Sequence, residues 1–408
     1  MRILYVIQRY GEDVAGGAEQ YCREIAERMA ARGHDIDVLT TCASSYTDWQ
    51  NTFPAGTVEI NGVTVHRLPV ARPREHWQFA RLDQRMRGGQ RPRPIELQRE
   101  WMRIQGPFAP RVPEWLRERS RTYEVVVFVT YLYWTTWAGL RAVAGCLPTI
   151  LQPAAHDEPP LQNSLFDSMF RLPDGFALFT PEEAELIERR FHIAPTGAVV
   201  GIGVEFDEVT PDAFRAEFGL GDAPYVLYVG RVDPAKGASE LFDFFTTFKE
   251  RNPSDLRLVY LGDPVVTMPE HPDVITTGFV SGDMRHRAMA GALALVQPSY
   301  FESFSMVLTE TFAQSRPALV QGRCEVLRGH ARRSGAALPY EGFAEFEVAL
   351  QMLVEDPARA DEMGRRGRAY VEREYDWEVV LDRYEDLVTR VVGEWSPAVS
   401  ESDAAARL

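Results

Sequence analysis

Lysine is almost missing from this chain. Of its 44 basic residues only Lys236 and Lys249 are lysine, the rest being arginine. Cysteine is scarce too: Cys22, Cys42, Cys146 and Cys324 are far apart and form no CxxC pair. That argues against a disulfide framework or a cysteine zinc site and fits a reducing, cytoplasmic setting. No run approaches the roughly 18 apolar residues of a membrane span. Ile3–Ile7, behind a single arginine, is too short for a signal-peptide core and reads as a first strand. Positive charge is short overall, and a net charge of −15 over 408 residues argues against general nucleic-acid binding.

What is present is ordinary globular material, 45% hydrophobic and 25% charged, in a length suited to two domains. Strands are expected at Arg2–Gln8, Asp35–Thr40, Val63–Leu68, Glu124–Thr130, Pro148–Gln152 and Gly175–Phe179, with a helix at Ala18–Arg32 closed by Gly33. The alternation restarts near residue 200. Its strands are expected at Tyr225–Gly230, Leu256–Gly262, Val274–Thr277, Ala292–Gln297 and Pro317–Val320. Its helices are expected at Ala238–Arg251, Met306–Gln314, Glu345–Glu355 and Pro357–Glu374. Strands alternating with helices imply a parallel sheet covered on both faces, so the fold class is α/β with two Rossmann-like domains. The expected division is 1–203, 204–375, a helix at 376–395 returning to the first domain, and a small polar, disordered tail at 396–408. Open parallel sheets bind ligands beyond the carboxyl ends of their strands, so two such edges are expected to face each other across a cleft.

The densest chemistry lies between Val226 and Thr311. One strand runs into Gly230-Arg231 and then Lys236-Gly237; a later one runs into Pro298 and then Glu302-Ser303-Phe304-Ser305-Met306, with Glu310 further on. Each segment opens a helix after a buried-looking strand, where backbone N–H groups and the helix dipole favour an anion. Arg231 and Lys236 add cations suited to a phosphate, and Glu302 and Glu310 add carboxylates suited to sugar hydroxyls. Lysine is a compact point charge against a phosphate, which arginine does not reproduce. The plainer reading makes Lys236 the cap of a solvated helix, as Lys249 is expected to be.

With Gly16-Gly17-Ala18-Glu19 in the first loop, these elements stand in an order that resembles the family 4 glycosyltransferases of the GT-B fold. These are retaining enzymes that use nucleotide-sugar donors, and the likeness covers nearly the whole chain. The resemblance implies that Arg231 and Lys236 hold the donor diphosphate and offset charge on the leaving group. It implies that Glu302 faces the hydroxyls of the donor sugar, and that the backbone from Ser303 through Phe304 and Ser305 to Met306 binds sugar or phosphate oxygens. Glu310 would accept from the ribose. Gly16, Gly17 and Gly230 would let the chain pass close to the donor. His156, after a first-domain strand, matches the family's active-site histidine, and Asp157 is a weaker acceptor contact. The sequence departs from the family at Ser305, where relatives commonly have glycine, and at Gly201-Ile202-Gly203-Val204-Glu205, where they commonly have Pro-Asn-Gly-Val-Asp. Both departures leave the donor's identity open, UDP- or GDP-sugar.

No metal or cofactor is expected. Asp35-Ile36-Asp37 has DxD form but sits inside a strand and reads as structural, so the two cations and a helix N-terminus would take a metal's place. Between Arg67 and Arg121 fourteen arginines face six acids, 14 − 6 = +8, with Trp77, Phe79, Trp101, Phe108 and Trp115 interleaved. This stretch reads either as a solvated helical insert or as a surface for an anionic acceptor or acidic lipid, with Arg72, Arg74 and Trp77 as contacts and a peripheral place at the inner membrane face. The acceptor class is a glycan, a lipid-linked sugar or a small molecule. Two alternatives stay open: a nucleotide-sugar epimerase or hydrolase of the same fold, and a non-catalytic sugar-binding scaffold.

Overall fold

The strands of this chain are short apolar runs without alternation. Val125–Val129 (VVVFV) and Tyr225–Val229 (YVLYV) are buried at every position, as central strands of a sheet covered on both faces must be. The structure, a computed structural model, describes residues 1–14, 16–87 and 93–396. Residues 397–408 of the expected tail lie outside them. The chain divides into two units, one of residues 1–200 with the described residues from Leu381 onward, the other of residues 201–380.

The first unit holds β1 (Arg2–Val6), α1 (Gly17–Ala31), β2 (Asp35–Thr41), β3 (Gly56–Ile60) and β4 (Val63–Leu68). An insert of α2 (His76–Arg87), α3 (Ile95–Gln105) and α4 (Arg111–Arg119) follows. Then come β5 (Val125–Val129), α5 (Trp134–Val143), β6 (Thr149–Gln152), α6 (Leu165–Met169), β7 (Gly175–Leu178), α7 (Pro181–Phe191) and β8 (Gly197–Val199). The sheet order is β3-β4-β2-β1-β5-β6-β7-β8. One expectation needs correcting: the sheet is not wholly parallel, since β3 runs antiparallel to β4 at the edge. Gly56–Ile60 was invisible as a strand because four of its five residues are exposed, so no apolar run marks it.

The insert is anchored to the core by a minority of its residues. Trp101 and Trp115 are buried in the same hydrophobic cluster as Leu4, Val126 and Phe128, which ties α3 and α4 to the sheet. Trp77 is 63% exposed.

The second unit holds α8 (Asp212–Glu217), β9 (Tyr225–Val229), α9 (Ala238–Arg251), β10 (Arg257–Leu261), β11 (Val274–Thr276), α10 (Gly282–Gly291), β12 (Ala294–Gln297) and α11 (Met306–Ala313). It continues through β13 (Ala318–Gln321), α12 (Glu325–Ser334), β14 (Ala337–Tyr340), α13 (Phe343–Glu355) and α14 (Pro357–Tyr375). Its sheet is parallel throughout, in the order β11-β10-β9-β12-β13-β14. β9 therefore sits where the strand order reverses, with β10 on one side and β12 on the other. Open parallel sheets bind ligands beyond the carboxyl ends of the strands at such a switch point.

A last helix, α15 (Trp377–Glu394), is divided between the units. Its part beyond Leu381 lies on the first unit: Tyr384 stacks on Tyr5 with centroids 6.4 Å apart, and Arg32 reaches Asp382 and Glu385, each at 2.8 Å. The units part at 200/201 and 380/381, whereas the sequence led us to expect 203/204 and 375/376. Local packing explains the difference. The Val204 N–H donates to the Tyr375 carbonyl at 2.8 Å, and a Cβ at Gly203 would lie 2.1 Å from the Trp377 ring, so this stretch is fastened to the second unit.

Candidate active site

Because β9 and β12 are hydrogen-bonded neighbours, the loops leaving their carboxyl ends must meet. The first loop turns at Gly230, whose φ of 136° suits glycine, and exposes Arg231. Asp233 then starts one 3-10 turn, Pro234–Lys236, its Oδ1 accepting the Ala235 N–H at 2.9 Å. Gly237 closes the turn at φ 79° and begins α9. A Cβ there would lie 2.5 Å from the Pro298 carbonyl oxygen, so the two loops touch at this glycine. Lys236 consequently reaches across: its Nζ lies 3.0 Å from Glu302 Oε1 and 3.4 Å from the Phe301 carbonyl oxygen.

The second loop is pinned from below. Phe304 is buried, edge-on to Tyr375 at 5.0 Å and to His330 at 5.4 Å. Burial first, and then the charge of Arg333, hold His330 down to about 3, so its ring is neutral in the fold. Ser305 takes the left-handed conformation at φ 73°, rare outside glycine, and its Oγ bonds Gln297 Nε2 at 3.2 Å. That turn starts α11, and Glu310 follows on it with Oε1 3.1 Å from Arg285 Nη2 of α10.

The second unit thus gathers three cations and three carboxylates into pairs: Lys236 with Glu302, Arg285 with Glu310, and Arg231 with Asp233 at a loose 3.6 Å. Lys236 and Arg231 keep 41% and 45% of their side-chain surface in solvent. An incoming phosphate can share them without a buried charge being broken first. Arg285 was missed by sequence reasoning. Arginine is everywhere in this chain, so nothing but the fold distinguishes it.

Lys249 is a correction. It does not cap a solvated helix; it is buried, pairs with Asp273 at 3.2 Å, and donates to the carbonyls of Ser254 and Leu256. Both lysines therefore hold specific oxygen partners.

In the first unit the Gly16-Gly17 loop follows β1. Gly16, at φ 148°, passes so close to Glu19 that a Cβ would lie 2.2 Å from its carboxylate. Gly17 is the first residue of α1. Glu19 Oε1 accepts from Gln8 at 2.7 Å and from Arg9 at 2.6 and 2.9 Å, a buried cluster that fixes the loop. Arg9 is a further residue the sequence did not flag.

His156 follows β6. Its Nε2 lies 3.9 Å from Glu158 Oε1, and that oxygen accepts the Tyr131 hydroxyl at 2.6 Å. Asp157 is exposed and bonded to Gln162 at 3.1 Å. Arg72 is exposed. Arg74, expected to face an acceptor, is instead committed to its own chain. It donates to the carbonyls of Ile104 and Gln105 and lies over the rings of Trp49 and Phe79, and burial lowers it to about 10. The Asp35-Ile36-Asp37 strand is likewise internally engaged, Asp35 with Arg2 and Asp37 with Arg2, His66 and Tyr123.

Comparison with known proteins adds to this geometry. A family model of the glycosyl transferase 4-like domain matches residues 16–200, and one of the glycosyl transferases group 1 matches residues 223–356. The chain is 25% identical to a glycogen synthase of Mycobacterium tuberculosis, over 93% of this chain and 92% of that protein. It is also 25% identical to a D-inositol 3-phosphate glycosyltransferase of Pseudarthrobacter chlorophenolicus, over 96% of each. Among solved structures it is similar to Anabaena HepE in complex with UDP and glucose, with a TM-score of 0.71 and 15% identity over 96% of this chain and 100% of that one.

Proposed function

The chain belongs to the family 4 glycosyltransferases, with the GT-B fold, and on that premise we propose that it is a retaining, metal-independent enzyme acting on a nucleotide-sugar donor. The donor is a UDP- or GDP-sugar. The acceptor is a hydroxyl of a glycan, a glycolipid or a small molecule. The observation that carries this reading is the Lys236–Glu302 pair at the switch point of the second sheet, 3.0 Å apart. It sets a cation and a carboxylate side by side, as a sugar diphosphate requires. Similarity to a structure holding UDP and glucose supports UDP as the first nucleotide to try.

On this reading Arg231 and Lys236 bind the diphosphate and offset charge as it leaves, a stabilisation directed at the transition state. The N-terminus of α11 and the backbone from Ser303 to Met306 contribute N–H groups. Glu302 orients the sugar hydroxyls, and Glu310, steadied by Arg285, accepts from the ribose. For the first unit, the family resemblance assigns Gly16 and Gly17 to the donor phosphates and His156 to the donor sugar and the acceptor. The bond from the anomeric carbon to the phosphate oxygen breaks as the acceptor oxygen bonds to the same face of that carbon. The acceptor proton passes to the departing phosphate, and configuration is retained.

A thermal-shift panel of UDP, GDP, ADP, CMP and dTDP, each in EDTA and in Mg²⁺, tests this. A nucleotide at 100 times its Kd adds about 2.7 kcal/mol, a shift of a few degrees. Stabilisation by one nucleotide in EDTA identifies the base and supports the metal-free cation pair; a requirement for Mg²⁺ removes metal independence. No shift from any nucleotide overturns the reading and favours a scaffold.

A peripheral membrane place belongs to the same reading. Trp77, 63% exposed at the start of α2, and the exposed Arg72 support contact of residues 67–121 with anionic lipid. No helix among the described residues is long and apolar enough to cross a membrane. Equal sedimentation with neutral and anionic liposomes would remove the lipid contact.

A further inference from the structure

Helix α7 opens with Thr180-Pro181-Glu182-Glu183. Thr180 caps it, its Oγ1 accepting the Glu183 N–H at 3.1 Å. A glutamate three residues after such a cap ordinarily turns back to the cap's own backbone. Glu183 does more. Its Oε2 accepts the Phe179 N–H at 2.7 Å, and its Oε1 reaches 28 residues back along the chain to accept the Ala155 N–H at 2.6 Å. Glu183 is 1% exposed.

Ala155 directly precedes His156. The turn that brings the chain there passes through Ala154 at φ 51°, a left-handed conformation that costs a residue with a Cβ free energy and persists only where its surroundings impose it. On the other side of His156, its carbonyl oxygen accepts the Glu158 N–H at 2.7 Å. The chain is thus fastened at the 154–155 peptide, one before the amide of His156, and at the peptide that follows His156, and the Glu183 carboxyl supplies the first of these two fastenings. A buried carboxyl group is costly to keep. Burial raises this one to about 8 even though both N–H bonds lower it. Helix capping alone would be served equally by glutamine. Two N–H groups directed at two oxygens call for a side chain that accepts at both atoms, which a carboxyl does in either protonation state and a carboxamide does not.

We propose that Glu183 is a positioning residue for the reaction, fixing His156 at the carboxyl edge of the first sheet through the Ala155 N–H. The proposal rests on the reading of His156 as an active-site residue. Glu183 itself touches no substrate.

The test uses the full chain in four variants: Glu183→Gln, Glu183→Asp, Thr180→Ala and His156→Ala. UDP-glucose hydrolysis without acceptor gives turnover, UDP titration gives nucleotide affinity, and NMR follows the His156 ring. Glu183→Gln should lower kcat 10–100-fold, leave the UDP Kd within twofold, and move the His156 ring resonances. Thr180→Ala loosens the same helix without touching Ala155, so it should lower Tm while leaving kcat and the His156 resonances in place. Glu183→Asp covers the case in which the glutamine variant does not fold, and its shorter reach should give a partial loss. Unmoved His156 resonances in a folded Glu183 variant overturn the proposal. So does wild-type turnover in that variant while His156→Ala is inactive. Wild-type turnover in His156→Ala overturns the reading of His156 and the proposal together, and that outcome is recognisable because it appears in the histidine variant itself. A wild type without UDP-glucose hydrolysis leaves the decision to the resonances.

Discussion

Lys236 Nζ lies 3.0 Å from Glu302 Oε1, across 66 residues of sequence, because the strands before them are neighbours and Gly237 lets their loops touch. With 41% of the lysine side chain exposed, the pair adds little to stability, about 0–1 kcal/mol as exposed pairs do. Its value is as a ready charge. Lys236→Ala should therefore lower the rate of donor consumption by ~10²–10³ with Tm almost unchanged. Lys236→Arg should stay within about tenfold of the alanine variant, since a fork does not replace a point charge. Wild-type kcat in the arginine variant would show that any cation suffices.

Ser305 offers a test of backbone cost inside the same loop. A residue with a Cβ loses roughly 1–2 kcal/mol in the left-handed region, and Ser305 sits there at φ 73° and ψ 71°. Its hydroxyl returns part of that through Gln297 at 3.2 Å. Ser305→Ala keeps the strain and leaves a buried amide without its partner, a loss of about 1–2 kcal/mol. Ser305→Gly loses the same bond but relaxes the backbone, so it should be more stable than the alanine variant by about 1 kcal/mol. Urea midpoints at equal m-values measure the difference. A glycine variant no better than alanine would remove the strain.

Much of this was legible in the sequence, for identifiable reasons. Parallel strands buried on both faces are continuous apolar runs, so Val125–Val129 and Tyr225–Val229 stood out. The two motif loops were legible because glycine, lysine and paired glutamates follow those strands. β3 was not, being an exposed edge stabilised by pairing with β4. The roles of Arg285, Arg9 and Glu183 were also hidden. Each is defined by a partner distant in sequence or by burial, and local composition carries neither. Lys249 was misjudged for the same reason: a lysine in a last helical turn looks solvated until its carbonyl partners are known.

Two buried titratable groups bend the pH dependence of stability in opposite directions. Burial pushes Glu183 from 4.5 up to about 8, so the folded state holds a proton that the unfolded state has released. That contribution is fully present below 4.5 and is lost as pH rises toward 8. Burial and the charge of Arg333 hold His330 at about 3, down from 6.5. The unfolded state then binds the extra proton, and stability is lost as pH falls from 6.5 toward 3. Each slope is about 1.4 kcal/mol per pH unit at most, and the two cancel where their windows overlap, from 4.5 to 6.5. Between 6.5 and 8 only Glu183 acts. Wild-type stability should fall across that interval by about 2 kcal/mol, and Glu183→Gln, which cannot titrate, should flatten the decline. Urea unfolding of both proteins at several pH values in that interval decides the matter. Parallel slopes in the two proteins would mean that Glu183 is already ionised in the fold at neutral pH, its charge carried by the N–H groups of Phe179 and Ala155.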